Sequence, residues 1–331
     1  MTAIRVLSRS DVVKALPMSD AIEGMKTAYA ALSAGQADMP LRVRVSGRED
    51  GVALVMPAHL QNTGDMGVKI VSVFPKNPAL NLPIIHALVL VLDSATGQAL
   101  AMMDGGSLTA IRTGAGAGAA TDILANPDAS SVAIIGSGVQ ARTQLEAVCA
   151  VRDITSVKVY SRSHANAQAF VDAMVGVGRI PQKIDIATDA NAAIRDADII
   201  CAATTSSTPV FDGDVIKAGA HINGVGSYMP TMQEVDEVTL QRARIYYDSH
   251  EAILEEAGEV IIALAKGAIT LDDLYAELGA VVSGDKIGRQ SADEITYFKS
   301  VGVAVQDAVA ANIALRNAQS MGIGTLLNMD V

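Results

Sequence analysis

Residues 131–141 read SVAIIGSGVQA, and this stretch decides the fold class. The apolar run 131–135 predicts a buried strand, and the helix formers from Val139 to Ala150 predict a helix directly after it. The turn between them reads Gly136-Ser137-Gly138-Val139-Gln140-Ala141, the pattern G-x-G-x-x-A. A strand, this glycine pattern and a helix in that order are typical of a dinucleotide-binding unit.

Each small residue of this pattern has a physical role. Gly136 permits the tight turn, Gly138 lets the backbone approach a pyrophosphate, and Ala141 keeps the helix close to the sheet. The helix start at Val139 and Gln140 offers free N–H groups to phosphates. A turn glycine pair in an α/β domain without a cofactor gives the same letters, so the flanking elements carry the prediction.

Strand and helix patterns continue to alternate downstream. A helix is predicted from His164 to Val175, and strands are predicted at 157–160, 184–187, 198–204, 221–226 and 245–248. Strands joined by helices imply right-handed crossovers and a parallel sheet. This region therefore predicts an α/β domain with a Rossmann-type doubly wound parallel sheet.

The N-terminal region has a different pattern. It predicts a strand at 5–8, a helix capped by Ser10 with Asp11 and ending at Leu16, and a helix over 19–33. Alternating or apolar runs then predict a mostly antiparallel β layer; these runs are 42–46, 52–58, 67–75 and 84–93. This combination of helices and antiparallel strands predicts an α+β domain.

Two further stretches have helical periodicity. Residues 109–124 contain three glycines that weaken a free helix, so the stretch either packs closely or forms a boundary helix between domains. A long helix is predicted from Glu294 to Met321. If that helix returns to the first domain, the first domain is discontinuous.

Composition excludes several classes of function. The 331 residues carry a formal net charge of −11, which argues against a nucleic-acid or anionic-membrane partner. The longest clean apolar run, 84–92, is too short to span a bilayer, and the N-terminus lacks a secretory pattern. Five histidines without metal-ligand spacing predict no metal site, and two cysteines fit a reduced cytoplasm.

The end of the second strand of the parallel sheet bears on cofactor choice. Ser161, Arg162 and Ser163 stand where NAD enzymes have an acidic residue. A guanidinium flanked by hydroxyls suits the 2′-phosphate of NADPH. We expect NADPH, with NADH as the alternative if Arg162 is only a solvated loop residue.

Basic residues within apolar sequence are the candidates for a carboxylate site. Arg42 and Arg44 lie in MPLRVRVS, Lys69 lies in GVKIVSV, and Arg112 lies in LTAIRTG. A cation in such surroundings needs an anion, and arginine binds carboxylates through two parallel hydrogen bonds. An internal salt bridge explains each residue equally well, and spacing alone does not show whether they converge.

Longer segments resemble the ornithine cyclodeaminase/mu-crystallin family across essentially the whole chain. They are MPLR (39–42), VMPA (55–58), GVKIVSVFP (67–75), MMDGGSLTAIRTGAGAGAA (102–120), GSGVQA (136–141), GAHINGVGSYMPTMQEVD (219–236), YDSHEAILEEAGE (247–259) and FKSVGVAVQD (298–307). The resemblance implies a homodimer that uses NAD(P)(H) on amino, imino or 2-oxo acids. It also implies a substrate-binding and dimerisation domain, 1–118 with 305–331, and an NAD(P)-binding Rossmann domain, 119–304.

The resemblance assigns roles to five residues. Arg42, Lys69 and Arg112 match the family's carboxylate-binding cations, and Arg42 is favoured over Arg44 because it follows Pro40 by two positions, as in the family. Met56 matches a residue that lines the substrate pocket, and Thr113 matches a residue beside the cofactor phosphate.

One position departs from the ornithine cyclodeaminase pattern. Residues 226–234 read GSYMPTMQE. By the resemblance, Tyr228 occupies the position at which ornithine cyclodeaminases have an Asp that acts as acid and base. A neutral phenol cannot supply that anion. The Ser-Tyr-x-Pro version is more similar to the family's ketimine reductases, which reduce 1-pyrroline-2-carboxylate or 1-piperideine-2-carboxylate to L-proline or L-pipecolate.

We therefore expect an NAD(P)H-dependent reductase of a cyclic imino acid. Arg42 and Arg112 would hold the substrate carboxylate, Lys69 would fix it or donate a proton, and Tyr228 would shape the ring pocket. Lys69 beside two guanidiniums should have a lowered pKa. The alternatives, in order, are an alanine-type amino-acid dehydrogenase, an ornithine cyclodeaminase, and ligand binding without chemistry as in mu-crystallin.

Overall fold

A computed structural model of the chain describes residues 3–329. It divides into two compact units, Met1–Arg112 with Ala304–Val331, and Thr113–Val303. Residues 1, 2, 330 and 331 of the first predicted domain lie outside the described residues. The roles predicted for the two domains stay predictions.

The helices and strands of the described residues follow in chain order. The strands are β1 (Ala3–Leu7), β2 (Ala37–Asp38), β3 (Val43–Ser46), β4 (Val52–Leu60), β5 (Asp65–Val73), β6 (Ile85–Asp93), β7 (Ala99–Asp104), β8 (Ser131–Ile135), β9 (Ser156–Tyr160), β10 (Asp185–Ile186), β11 (Ile199–Ala202), β12 (His221–Gly224), β13 (Ala243–Tyr247), β14 (Leu274–Glu277), β15 (Ile295–Lys299) and β16 (Thr325–Asn328). The α-helices are α1 (Arg9–Ala15), α2 (Met18–Ser33), α3 (Gly105–Leu124), α4 (Val139–Val151), α5 (His164–Met174), α6 (Ala190–Ile194), α7 (Glu237–Arg242), α8 (His250–Glu256), α9 (Gly258–Ala265), α10 (Leu278–Val282) and α11 (Ala304–Met321).

The first unit is built on a mostly antiparallel sheet, as the alternating runs predict. Its strand order is β16-β1-β7-β6-β5-β4-β2, with β3 also paired to β4, and the β1–β7 pair is parallel. Helix α11 packs on β4, β5 and α2. Gly67 of β5 lies against α11, since a Cβ built there would be in van der Waals contact with Ala308, 3.5 Å from its Cα.

The first helix begins earlier than the sequence predicts. Ser8, not Ser10 or Asp11, is the N-cap residue of α1, and Asp11 takes the third position of the helix. The Asp11 carboxylate accepts from the Ser8 backbone N–H at 2.9 Å, while Ser8 Oγ accepts from the Asp11 N–H. This reciprocal capping box satisfies two backbone donors, which explains why the helix starts there.

The second unit contains the predicted Rossmann-type parallel sheet. The order is β10-β9-β8-β11-β12-β15-β13-β14, and every pair is parallel. The six strands predicted from 131 to 248 are all present. Separate apolar clusters cover the two faces of the sheet, as a doubly wound sheet requires.

The predicted helix from Glu294 to Met321 is wrong over its first third. Residues Ile295–Lys299 form β15, and α11 begins only at Ala304. The segment ITYFK is rich in β-branched and aromatic residues and is buried throughout between β12 and β13. Such residues favour a strand covered on both faces, and this tertiary setting overrides the helical pattern.

The α3 glycines allow close packing, one of the two alternatives that the sequence leaves open. A Cβ on Gly114 would lie 2.5 Å from the Thr143 carbonyl oxygen, so α3 and α4 approach each other at this point as closely as only glycine permits.

Among residues 3–329, no helix combines the length and the apolar character needed to cross a bilayer.

Candidate functional site

A buried ion-pair cluster occupies the first unit. Lys69 Nζ on β5 donates to Asp307 Oδ2 on α11 at 2.5 Å, and Arg112 Nε on α3 donates to Asp307 Oδ1 at 2.9 Å. Asp307 is 1% exposed, Lys69 3% and Arg112 5%. Two cations therefore share one carboxylate, which leaves one positive charge in excess within this group.

Neighbouring amides and hydroxyls orient the guanidinium. Arg112 Nη1 donates to Gln306 Oε1 at 2.9 Å, and Gln306 Nε2 donates to the Tyr29 hydroxyl at 2.7 Å. Within residues 3–329, no acceptor lies in hydrogen-bond range of Arg112 Nη2. Arg112 is thus fixed through two nitrogens and retains a third for another acceptor.

Strand register places two other predicted substrate residues, Met56 and Arg42, beside this cluster. Met56 on β4 stands directly opposite Lys69 on β5, so the two side chains share a face of the sheet. Val43 of β3 pairs with Val55 of β4. Arg42, the residue immediately before β3, therefore lies at the level of Met56. Arg42 is partly buried and Met56 is 4% exposed. The neighbouring Arg44, the less favoured candidate, is exposed.

Burial and the neighbouring charges both act on the pKa of Lys69. Burial lowers the pKa of the Lys69 ammonium to about 8; the Asp307 carboxylate opposes this shift, while Arg112 and Arg42 add to it. The predicted lowering of the pKa is confirmed, but desolvation rather than the guanidiniums is the main cause. Burial raises the pKa of Asp307, yet Arg112 and Lys69 outweigh burial and hold it below its usual value.

The glycine turn of the second unit has the geometry of a phosphate cradle. Gly136 has φ of +110°, and a Cβ there would lie 2.5 Å from the Ala203 carbonyl oxygen, so only glycine fits. A Cβ on Gly138 would meet no atom within 4 Å, and Ala141 is fully buried. Open space at Gly138 beside the N-terminus of α4, where Val139 and Gln140 begin the helix, fits a dinucleotide pyrophosphate.

The three polar residues after β9 differ in their contacts. Ser161 Oγ accepts from Ser137 Oγ at 3.1 Å, and Ser163 caps α5 by accepting from the Asn166 N–H at 3.3 Å. Arg162 is exposed and has no partner in the described part of the chain. Both hydroxyls therefore have local structural roles, while the guanidinium can turn toward an anion.

A buried polar network that sequence reasoning missed holds the loop before Tyr228. The Glu234 carboxylate accepts from the backbone N–H groups of Thr204 at 2.5 Å and Gly226 at 2.6 Å, and also from Ser227 at 3.2 Å. Burial raises the pKa of Glu234, against the effect of the Lys299 charge. Tyr228 itself is 39% exposed.

Lys299 continues this network below the loop. Its Nζ donates to the Ser227 carbonyl oxygen at 2.6 Å and pairs with Glu259 Oε1 at 2.8 Å; Tyr297 OH donates to the same oxygen at 2.7 Å. Lys299, Glu259 and Tyr297 are all fully buried. Lys299 ends β15, a strand that the sequence reading placed in a helix, so no pattern pointed to it.

These loops lie at one edge of the parallel sheet. The loops with Gly136, Thr204, Ser227 and Ser300 each follow the carboxyl end of a strand, respectively β8, β11, β12 and β15. Ligands of doubly wound sheets bind outside the carboxyl ends of the strands. Thr113, the remaining predicted cofactor residue, is half-buried at the first position of the second unit.

Across residues 3–329, no three His, Cys, Asp or Glu side chains are grouped so that they could hold a metal ion. His221 bonds to Thr296 and Asn223 instead, and burial lowers its pKa to about 3. His221 is therefore a neutral member of the core.

A Rossmann sheet with a glycine turn at its carboxyl edge defines the second unit as a dinucleotide-binding domain. The chain belongs to the ornithine cyclodeaminase/mu-crystallin family, whose model matches residues 3–322. It is 38% identical to a Delta(1)-pyrroline-2-carboxylate reductase of Bacillus cereus. The alignment extends over 321 residues and covers 96% of this chain and 98% of that protein.

Two solved structures share the whole fold. One is Thermococcus litoralis Delta(1)-pyrroline-2-carboxylate reductase in complex with NADH and L-proline, with 40% identity and a TM-score of 0.92 over 97% of this chain and 99% of that chain. The other is an archaeal alanine dehydrogenase dimer with bound NAD, with 35% identity and a TM-score of 0.91 over 99% of each chain.

Proposed function

We propose that this chain catalyses the NAD(P)H-dependent reduction of a cyclic imino acid, 1-pyrroline-2-carboxylate or 1-piperideine-2-carboxylate, to L-proline or L-pipecolate. The observation that carries the proposal is the buried pairing of Lys69 and Arg112 on Asp307, with one positive charge in excess. A substrate carboxylate supplies the missing negative charge. The named activity of the Bacillus relative and the L-proline in the Thermococcus structure support the same substrate class.

The residues of the first unit then have distinct roles. Arg112, with Nη2 available, and Arg42 bind the substrate carboxylate, and Met56 lines the substrate pocket. With a pKa of about 8, Lys69 is protonated at neutral pH and can donate a proton to the imine nitrogen. When bound, a reduced nicotinamide would supply the hydride for the imine carbon. With the proton from Lys69 on the nitrogen, the C=N bond would become the C–N single bond of a secondary amine.

The cofactor proposal is NADPH, held by Thr113, the glycine turn and the Ser161–Ser163 segment. Exposed Arg162, without a protein partner in the described residues, supports recognition of a 2′-phosphate. The neighbouring structures contain NADH or NAD, so NADH is the alternative. A homodimer in the cytoplasm completes the proposal; two free, buried cysteines are in keeping with a reducing compartment.

Alanine-type dehydrogenation is the second candidate. It is favoured by the fold shared with the archaeal alanine dehydrogenase, which also acts on a small carboxylate-bearing molecule according to its name. Ornithine cyclodeamination is disfavoured because Tyr228 offers no anion. Ligand binding without chemistry, the last alternative, leaves the low pKa of Lys69 without a use.

One assay panel tests the function. The purified chain is incubated with NADPH or NADH plus each cyclic imino acid, with the same cofactors plus pyruvate and ammonia, and with ornithine plus NAD. Turnover of a cyclic imino acid is the expected result. Turnover only with pyruvate and ammonia would replace the proposal by the second candidate, and NADPH binding without any turnover would favour a binding protein.

A variant pair tests the carboxylate site. Arg112→Ala should lower kcat/KM for the imino acid by at least ~100-fold, since the charged hydrogen bond from Nη2 to the substrate carboxylate is lost. Arg44→Ala is the matched control, because Arg44 is a nearby but exposed arginine, and its kcat/KM should stay within about twofold of the unmodified chain. Equal activity of both variants would remove Arg112 from the site.

A further inference from the structure

Asp307 is the carboxylate that Lys69 and Arg112 share. It lies in the first turn of α11, and its oxygens are divided, Oδ2 to Lys69 Nζ at 2.5 Å and Oδ1 to Arg112 Nε at 2.9 Å. It is 1% exposed, so both contacts are shielded from water. A carboxylate in this position fixes the separation of the ammonium and the guanidinium.

The surroundings of Lys69 show what the carboxylate opposes. The charged groups that act on Lys69 are Asp307 from α11, Arg112 from α3, and Arg42 from the segment before β3. The neighbouring strands offer apolar groups, Met56 from β4 and Val89 from β6. Without Asp307, Lys69 would be a desolvated ammonium beside two cations, and it would release its proton readily.

We propose that Asp307 is a positioning residue: it sets Lys69 and Arg112 side by side and keeps Lys69 protonated, so that one cation binds the substrate carboxylate while the other donates a proton. This inference rests on the proposed function for its catalytic meaning. Asp307 itself is not expected to touch the imine. Its effect passes through the two cations that it holds.

The pH dependence of Asp307→Asn tests the proposal. In the unmodified chain, kcat/KM for imine reduction falls above a pH of about 8 as Lys69 loses its proton. Asn cannot counter the neighbouring cations, so the midpoint of this fall should move to lower pH by about one unit or more. Above the midpoint, a shift of one unit makes the protonated fraction of Lys69 about tenfold smaller than in the unmodified chain. The imine titrates identically in both proteins, so the difference belongs to the enzyme.

Two further variants separate positioning from stability. Asp65→Asn is the matched control: Asp65 also lies on β5, is 5% exposed, and pairs with Arg316 of α11 at 3.0 Å, away from Lys69. It should leave the midpoint in place. Asp307→Glu keeps the charge and moves the carboxylate, so it should retain the midpoint and raise KM. An unchanged midpoint in Asp307→Asn, or an unchanged KM in Asp307→Glu, would overturn the proposal.

A titration without substrate keeps this test independent of the proposed function. The ε-carbon resonance of Lys69, assigned by its loss in Lys69→Arg, is followed against pH by NMR in the unmodified chain and the Asp307 variants. A lower titration midpoint in Asp307→Asn supports the inference even if no imino acid is reduced. If Asp307→Asn does not fold, the titration of Lys69 in Asp307→Glu decides. A midpoint lower than that of the unmodified chain would then contradict the proposal.

Discussion

Two buried carboxylates do the most to order the candidate site at the scale of single residues. Asp307 joins two cations that come from β5 and α3, and Glu234 joins three backbone N–H groups that follow β11 and β12. Neither is exposed to solvent. A carboxylate with several donors exchanges its hydration for fixed hydrogen bonds, so each one holds several chain segments at once.

Arg162 is the residue on which cofactor choice depends. It is exposed and has no partner within residues 3–329, so its replacement should not disturb the fold. Arg162→Ala should lower kcat/KM with NADPH by at least about tenfold and change the value with NADH by less than threefold, because only NADPH has the 2′-phosphate. Steady-state kinetics with both cofactors measures the ratio. An equal loss with both cofactors would assign Arg162 a role outside phosphate recognition.

Local sequence revealed the cations but not their partner. Lys69 and Arg112 were found because a charge inside an apolar run is costly and therefore noticeable. Asp307 ends the run VGVAVQD in a helix, where a polar residue is ordinary, and its contact with Lys69 spans 238 residues of chain. The convergence that makes the cluster is a long-range property, which residue spacing does not contain.

At the scale of elements, the parallel sheet was predictable up to β13, but β14 and β15 were not. The glycine turn predicted β8 and α4, and the alternating pattern predicted the five strands from β9 to β13. Strand β15 lies next to a helix in sequence, and its place between β12 and β13 depends on the rest of the sheet. It carries Lys299 to the underside of the Tyr228 loop, so the missed strand also hid part of the candidate site.

Removing the Lys299 charge should destabilise the second unit. Lys299→Met leaves Glu259 buried without its cation, and breaking a buried pair costs about 3–5 kcal/mol in free energy of unfolding. Lys266→Met is the matched control, since Lys266 pairs with Glu237 at 2.5 Å but is 61% exposed, and its loss should cost less than about 1 kcal/mol. Urea denaturation followed by circular dichroism gives both values. Similar values for the two variants would show that the buried pair adds little.

At the scale of the whole molecule, the first unit has an uncovered apolar sheet face. The cross-strand row Val43, Val55, Ile70 and Leu88 lies on the face opposite to that of Lys69, because neighbouring residues on a strand point to opposite sides. Val43 is 57% exposed, Ile70 39% and Leu88 36%. A row of exposed aliphatic residues on adjoining strands is typical of a protein interface.

This face supports the proposed homodimer and gives it a test. Ile70→Lys places a charge at the centre of the row, and we expect the dimer dissociation constant to rise at least tenfold, about 1.4 kcal/mol, because a buried ammonium would lose its hydration. Analytical ultracentrifugation over a range of protein concentrations measures the constant. Val177→Lys is the control, since Val177 is 48% exposed in the second unit and should leave the constant unchanged. Equal association of both variants would place the interface elsewhere, whereas a monomer in the unmodified chain would refute the dimer itself.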